Sequence, residues 1–235
     1  MNNIEIIDEF DSAVIECIKA ENLIATSEAI KKSEKFLTLK AIDSRNDFNV
    51  ISDIDKTQSD LIYCTGILYL LRPYINNPTK EIERFNDRII STYFQTTSDS
   101  LYLMYSSICY EKLYNFWDRI GDKLATLFPH KFKKERNIMF ANVIDTLKDI
   151  DTDDENILWF IDYREKEFKK FNSIRKDIVH YEQLETKFIE NTNANYFDQE
   201  EIKKIWEEKY NQPDFLKKQI MKTNQAVEKI TELLE

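Results

Sequence analysis

The chain has 235 residues, a formal net charge of −10 and a 42% hydrophobic share, with only 2 Gly and 4 Pro. That apolar share excludes wholesale disorder, and the shortage of Gly and Pro leaves little material for tight hairpins, bulges or a phosphate-cradling Gly loop, so long helices are expected. The acidic balance repels nucleic acid and anionic lipid, so any RNA contact must be local.

The opening stretch from Ile4 to about Lys40 reads as helix, because Ile7, Phe10, Val14, Ile18 and Ile24 recur at helical spacing. Its start, Met1 to Asp11, holds acids and no Lys or Arg, the opposite of a signal peptide's basic beginning. A polar segment over 43–56 follows, and Thr57 and Ser59 offer caps to an apolar helix through Leu71, stopped by Pro73 and Pro78. Thr79 to Phe94 is expected as a further helix. Thr97 or Ser98 with Asp99 opens a long aromatic-rich helix to about Phe128, ended by Pro129. On its wheel Leu113, Trp117, Ile120 and Leu124 share one face, while Glu111, Asn115, Asp118 and Asp122 line another.

Two helices are expected over 135–149 and 155–184, separated by the acidic turn Asp151 to Glu155. A polar loop over 190–195 precedes a capped helix from Asp198, and Pro213 opens an amphipathic helix to Leu234. The pattern predicts an all-α fold, an antiparallel helical bundle of long helices with additional N-terminal and C-terminal helices. One domain over 1–235 is expected, with 1–56 readable as a helical arm on a bundle over 57–235. No apolar run approaches the roughly 20 residues that span a bilayer. Cys17, Cys64 and Cys109 are far apart, which disfavours a disulfide framework or a cysteine metal site and fits a reducing, cytoplasmic location.

Along the helix from Glu155, the residues Ile157, Phe160, Ile161, Phe168, Phe171, Ile178 and Val179 project as one apolar stripe, and Arg164 and Arg175 fall inside it. A charge on a core-facing position is costly unless paired, and such departures from patterning collect at functional or strained sites. Arg175 therefore either snorkels, or pairs with a carboxylate such as Asp118, or serves a site; His180 is either a satisfied ring or a reactive one. The surrounding Lys166, Lys169, Lys170 and Lys176, like the group Lys131, Lys133, Lys134 and Arg136, form either a solvated face laced with ion pairs or a local contact for RNA.

The run Asn172 to Tyr181 reads NSIRKDIVHY. It resembles the motif of the HEPN superfamily, helical bundles marked by Arg, four to six residues, then His. The resemblance implies a metal-independent endoribonuclease, a toxin or defence effector, whose site forms from two motifs across a homodimer interface. Carried onto this chain, Arg175 would hold the scissile phosphate and His180 would act as general base or acid in attack by the ribose 2′-hydroxyl. Lys176, Asn172, Lys169 and Lys170 would contact phosphate or RNA, with Asp177, Tyr181 and Arg164 in support. RNA, a second copy and a protein partner such as an antitoxin are the partners implied, and no cofactor or metal is called for.

The chain departs from many active members by placing Lys176 directly after the Arg, where Asn, Asp or His is usual. Lys176 either adds a phosphate contact or marks a non-catalytic member. Residues five apart on a regular helix also diverge by about 140° and about 7.5 Å, so the pair needs a distorted turn, an extended side chain or a second subunit to converge. A non-catalytic interaction or nucleotide-binding module, or an antitoxin-like regulator, is the alternative. GxGxxG, Walker, HExxH and zinc-spaced Cys/His patterns are missing from the sequence, and the acids Asp151, Asp153, Asp154 and Glu155 lack the calcium-loop pattern.

Overall fold

A computed structural model describes residues 3–25, 50–80, 82–85, 88–91, 93–132, 138–149, 153–180 and 182–234. Helix α1, Asn3–Ala20, is shorter than its hydrophobic periodicity suggests. Asn22 adopts a positive φ of 52°, and the N–H groups of Asn22 and Leu23 reach back to the carbonyls of Lys19 and Ile18. Asn tolerates this left-handed position, and the two bonds close the helix as a Schellman cap. The remainder of the expected helix, over 26–40, lies outside the described residues.

Helix α2, Val50–Leu71, starts earlier than Thr57, so Thr57 and Ser59 are interior residues rather than caps. Ile54, Gln58 and Leu61 explain the extension, being buried at i, i+4 and i+7 on one face. A 3-10 turn, Arg72–Tyr74, carries Pro73 and ends the run.

The expected helix over Thr79 to Phe94 is instead an antiparallel ribbon of β1, Ile82–Phe85, and β2, Arg88–Ser91, paired from Ile82↔Ser91 to Phe85↔Arg88. The β-branched Ile82, Ile89 and Ile90 favour strands, and Asn86 and Asp87 between them are turn-forming types. It is the only sheet among the described residues.

Helix α3, Thr97–Leu127, is capped one residue before the expected position. The Thr96 hydroxyl oxygen accepts the Asp99 N–H at 3.2 Å while Asp99 Oδ2 accepts the Thr96 N–H at 2.9 Å, a reciprocal capping box. Helix α4, Phe140–Lys148, precedes α5, Glu155–Tyr163, whose N-cap Asp154 accepts from the N–H groups of Asn156 and Ile157. A π-helical turn, Arg164–Phe168, joins α5 to α6, Lys169–His180.

The expected loop over 190–195 is mostly the end of α7, Leu184–Ala194, because Phe188 and Thr192 bury one turn apart on one face. Helix α8, Gln199–Tyr210, has the expected Asp198 cap, and α9, Gln212–Leu234, begins around Pro213 as expected. The fold is all-α, as the composition implies.

By contacts the chain divides into two compact units that interleave along the sequence. Unit one comprises Met1–Leu23, Tyr63–Cys109 and Lys176–Lys218. Its core gathers Val14, Ile67, Leu68, Tyr102, Cys109, Phe188, Ile202 and Leu216. A Cβ added at Gly66 would stand 2.6 Å from Ile18 Cγ1, so the absence of a side chain there lets α1 pack tightly on α2. Asp214 accepts from the Tyr69 hydroxyl at 2.8 Å and from Arg72 Nη1 at 2.9 Å. Unit two comprises Ile24–Ile62, Tyr110–Arg175 and Gln219–Glu235. Its core is aromatic: Trp117 stacks on Tyr163 at 4.0 Å and meets Phe140 at 4.9 Å, and Phe168 meets Phe171 at 4.9 Å.

The projected stripe of α5 and α6 is only partly kept. Phe160, Tyr163, Phe168 and Phe171 are buried, whereas Val179 is 46% exposed. The spacing of five between Tyr163 and Phe168 is the one that a π turn bridges, since its hydrogen bonds run from i to i+5.

Candidate functional site

Each residue of a helix advances about 100°, so Lys169, Ser173, Lys176 and His180 fall within about 60° of one another on α6. All four are exposed, while Phe171 on the far side is fully buried. His180 is the last residue of the helix. Arg175 projects about 140° away from it, on the half-buried flank.

There Arg175 is held by two residues of α3 in unit two. Its Nε donates to Glu111 Oε1 at 3.1 Å and its Nη2 to Glu111 Oε2 at 3.3 Å, a two-pronged match of guanidinium to carboxylate. The guanidinium carbon also stands 4.2 Å from the centre of the Tyr114 ring. The side chains remain 20% and 34% exposed. The partner is thus Glu111 and not Asp118, one member of the α3 polar line instead of another. Asp118 accepts the Phe140 N–H at 3.2 Å and serves the start of α4. Burial pushes the Asp118 carboxyl up to about 6, against the opposing pull of Phe140 N–H and Tyr114. Burial, then the Asp118 charge, pushes the Tyr114 phenol up to about 12.

The other motif residues are dispersed. Asp177 pairs with Lys187 at 3.3 Å, and its carbonyl takes the Glu182 N–H at 2.9 Å, closing the end of α6. The Asn172 side-chain oxygen is buried and takes no hydrogen bond among the described residues. Lys169 bonds Glu165, as does Lys148, and these two contacts hold the Glu165 carboxyl at about 2. Lys170 is exposed. Arg164 lies in the π turn with its side chain 14% exposed, bonds Asp145 at 3.2 Å, and buries its Nε without a partner among the described residues. Tyr181, Lys133, Lys134 and Arg136 lie outside the described residues.

Sequence reading missed a groove of about 530 Å³ in unit one, lined by α3 and by Ile178, Gln183 and Glu185. Its signal is present on α3: Thr97, Ser100, Leu101 and Met104 share a face at helical spacing, and Leu101 and Met104 remain 39% and 45% exposed. No group of three or more His, Cys, Asp or Glu suited to a metal ion occurs among the described residues. No described helix is long and apolar enough to cross a membrane.

A family model described as Cthe2314-like HEPN matches residues 63–235. The chain belongs to this HEPN family. The match spans the whole of α3 and α6, so the motif resemblance of Arg175 and His180 rests within a shown HEPN region. Neither the curated proteins nor the solved structures give a match to this HEPN chain.

Proposed function

We propose that this HEPN protein is a metal-independent endoribonuclease, a toxin or defence effector of the cytoplasm. The observation that supports the reading is the outward face of α6, where Lys176 and His180 lie one turn apart, both exposed, in an otherwise acidic chain. Imidazole serves as general acid and base, and the neighbouring Lys176 ammonium attracts a phosphate. In this reading His180 takes the proton of a ribose 2′-hydroxyl and the freed oxygen attacks the adjacent phosphorus. The bond to the 5′-oxygen breaks, that oxygen is protonated, and the products are a 2′,3′-cyclic phosphate and a 5′-hydroxyl.

Arg175 carries the negative charge that builds on the phosphate oxygens. Its ion pair with Glu111 is partly exposed, so a phosphate can reach the guanidinium and compete with the carboxylate for it. Because Arg175 and His180 diverge on α6, the reading calls for a homodimer in which Arg175 of one copy serves His180 of the other. The test is incubation of the purified protein with structured RNA in EDTA, beside His180→Ala. Cleavage with cyclic-phosphate ends by the native chain alone is expected; equal cleavage, or none, from both removes the catalytic reading.

The Glu111 fork favours a second reading, a non-catalytic module that binds a nucleotide or protein partner, or regulates a toxin as an antitoxin does. Here Arg175 is a packing residue. Arg175→Ala then lowers the melting temperature, and His180→Ala changes neither stability nor RNA turnover.

A further inference from the structure

Folding does not require the apolar groove of unit one to be open. Leu101 and Met104 are 39% and 45% exposed, yet both line a space of about 530 Å³ together with Ile178. That volume lies within the roughly 300–1,000 Å³ of small-molecule sites. It is roomy enough for one nucleoside, and Leu101, Leu103, Met104, Ile108 and Ile178 give part of its wall branched or flexible apolar groups that pack on a flat ring.

The polar end of the groove is preset. Glu185 Oε1 accepts from the Ser100 hydroxyl at 3.1 Å and also from Gln95 Nε2, and the same Gln95 nitrogen donates to Ser100 at 2.7 Å. These bonds fix the carboxylate and occupy Oε1. Glu185 Oε2 takes no partner among the described residues and retains its acceptor capacity. A ligand seated here must therefore present donors.

Among the four RNA bases, guanine alone presents two adjacent donors on its pairing edge, N1–H and the exocyclic N2–H, with no acceptor between them, so both can converge on the open lone pairs of Oε2. Adenine and cytosine place an acceptor beside their amine, and uracil flanks its N–H with two carbonyls, each of which a carboxylate repels. The next guanine position, O6, is an acceptor, and the Gln183 amide in the groove wall is a donor suited to it. Ile178 and Gln183 also bracket His180 in the chain, within the same unit.

We propose that this groove binds a guanine base through Glu185 and, resting on the ribonuclease reading for this last step only, directs cleavage to a bond beside guanosine. Binding is tested without cleavage, by calorimetric titration of the full chain with 5′-GMP, IMP, AMP, CMP and UMP. GMP is expected to bind at least about tenfold tighter than AMP, CMP and UMP, with IMP intermediate because it lacks the N2 amine. Glu185→Gln is expected to abolish the preference. Met104→Arg, on an exposed position, fills the groove and gives the same loss should Glu185→Gln disturb the Gln95 and Ser100 contacts.

Equal binding of all nucleotides, binding of none, or a guanine preference unchanged in both variants overturns the proposal. A trinucleotide ApGpA that binds tighter than GMP marks RNA as the source of the base, and the reverse order marks a free nucleotide. GMP binding that needs Glu185, without any RNA cleavage, keeps the groove and removes the ribonuclease reading. Cleavage indifferent to guanine, with no GMP bound, does the opposite.

Discussion

Glu111 and Asp118 stand two turns apart on α3 and have opposite fates. Glu111 meets a guanidinium, whereas Asp118 is buried with a backbone N–H as its partner, and its carboxyl is raised from 3.8 to about 6. A raised carboxylate means that the folded state binds the proton more tightly than the unfolded one, so stability is greatest below about 3.8 and falls as pH rises through about 6. Asp118→Asn keeps an acceptor for the Phe140 N–H without the buried charge. It is expected to stabilise the protein by about 3 kcal/mol at pH 8 and by less than about 1 kcal/mol at pH 4, measured by urea unfolding at both. Glu111→Gln addresses the other acid. It should change stability by less than about 1 kcal/mol and raise RNA affinity, because it releases Arg175 from a competing carboxylate; a fall in affinity would count against competition. The wheel of α3 left its polar line either as a solvated face or as the partner of a basic helix, and Glu111 takes the second role. The wheel named Asp118 because it fixes a face and says nothing of the level along the axis.

At the scale of elements, caps and buried pairs decide where helices begin and how they dock. Asp99 is the acid of the α3 capping box and also the buried partner of Lys209 on α8, at 2.5 Å. Lys209 Nζ is further surrounded by Phe188 at 4.2 Å and Tyr93 at 5.2 Å. Burial pulls the Asp99 carboxyl up, but the hydrogen bonds from Lys209 and Thr96 outweigh it and hold the group below its ordinary value. Its contribution is thus present above about 3.8 and lost as pH falls through the folded value. Lys209→Met strands that charge and is expected to cost about 3–5 kcal/mol; adding Asp99→Asn should recover part of the loss in thermal unfolding.

Helix content was legible in the periodicity of α3 and α9 and in the Asp198 cap, whereas the Asp154 cap lay within what read as an acidic turn. The β1–β2 ribbon was not legible, because Glu83, Arg84 and Arg88 suit a helix, and only Ile82, the Ile89–Ile90 pair and the types of Asn86 and Asp87 argue otherwise. Helix α7 was hidden by Asn191, Asn193 and Asn195, whose weak helical preference is overridden by the burial of Phe188 and Thr192.

For the whole molecule, the net charge of −10 sets the terms of any RNA encounter. The net charge offers no long-range attraction, and under the proposed reading Arg175 with the exposed Lys170 and Lys176 of α6 supplies the phosphate contacts, Lys169 being held by Glu165. The logarithm of RNA affinity is therefore expected to fall against the logarithm of salt with a slope of about −2, at about −0.7 per neutralised phosphate on a single strand. A slope near −6 would point to a basic surface elsewhere. Family membership was legible in ten residues because the Arg and His identities are chemically demanding. The guanine groove was not, since its walls come from residues such as Met104 and Gln183 that are distant in the chain and ordinary in type.

The π turn at Arg164–Phe168 also sets the phase with which α6 continues from α5. It holds one residue more than an α-helical turn needs. Shortening the chain by one exposed residue, Lys166, should let α5 run straight into α6 as ordinary helix with the outward direction of His180 preserved. Circular dichroism and RNA binding of that deletion variant should match the parent, whereas the same deletion within α6, at Ser173, should turn everything after it by about 100° and abolish binding.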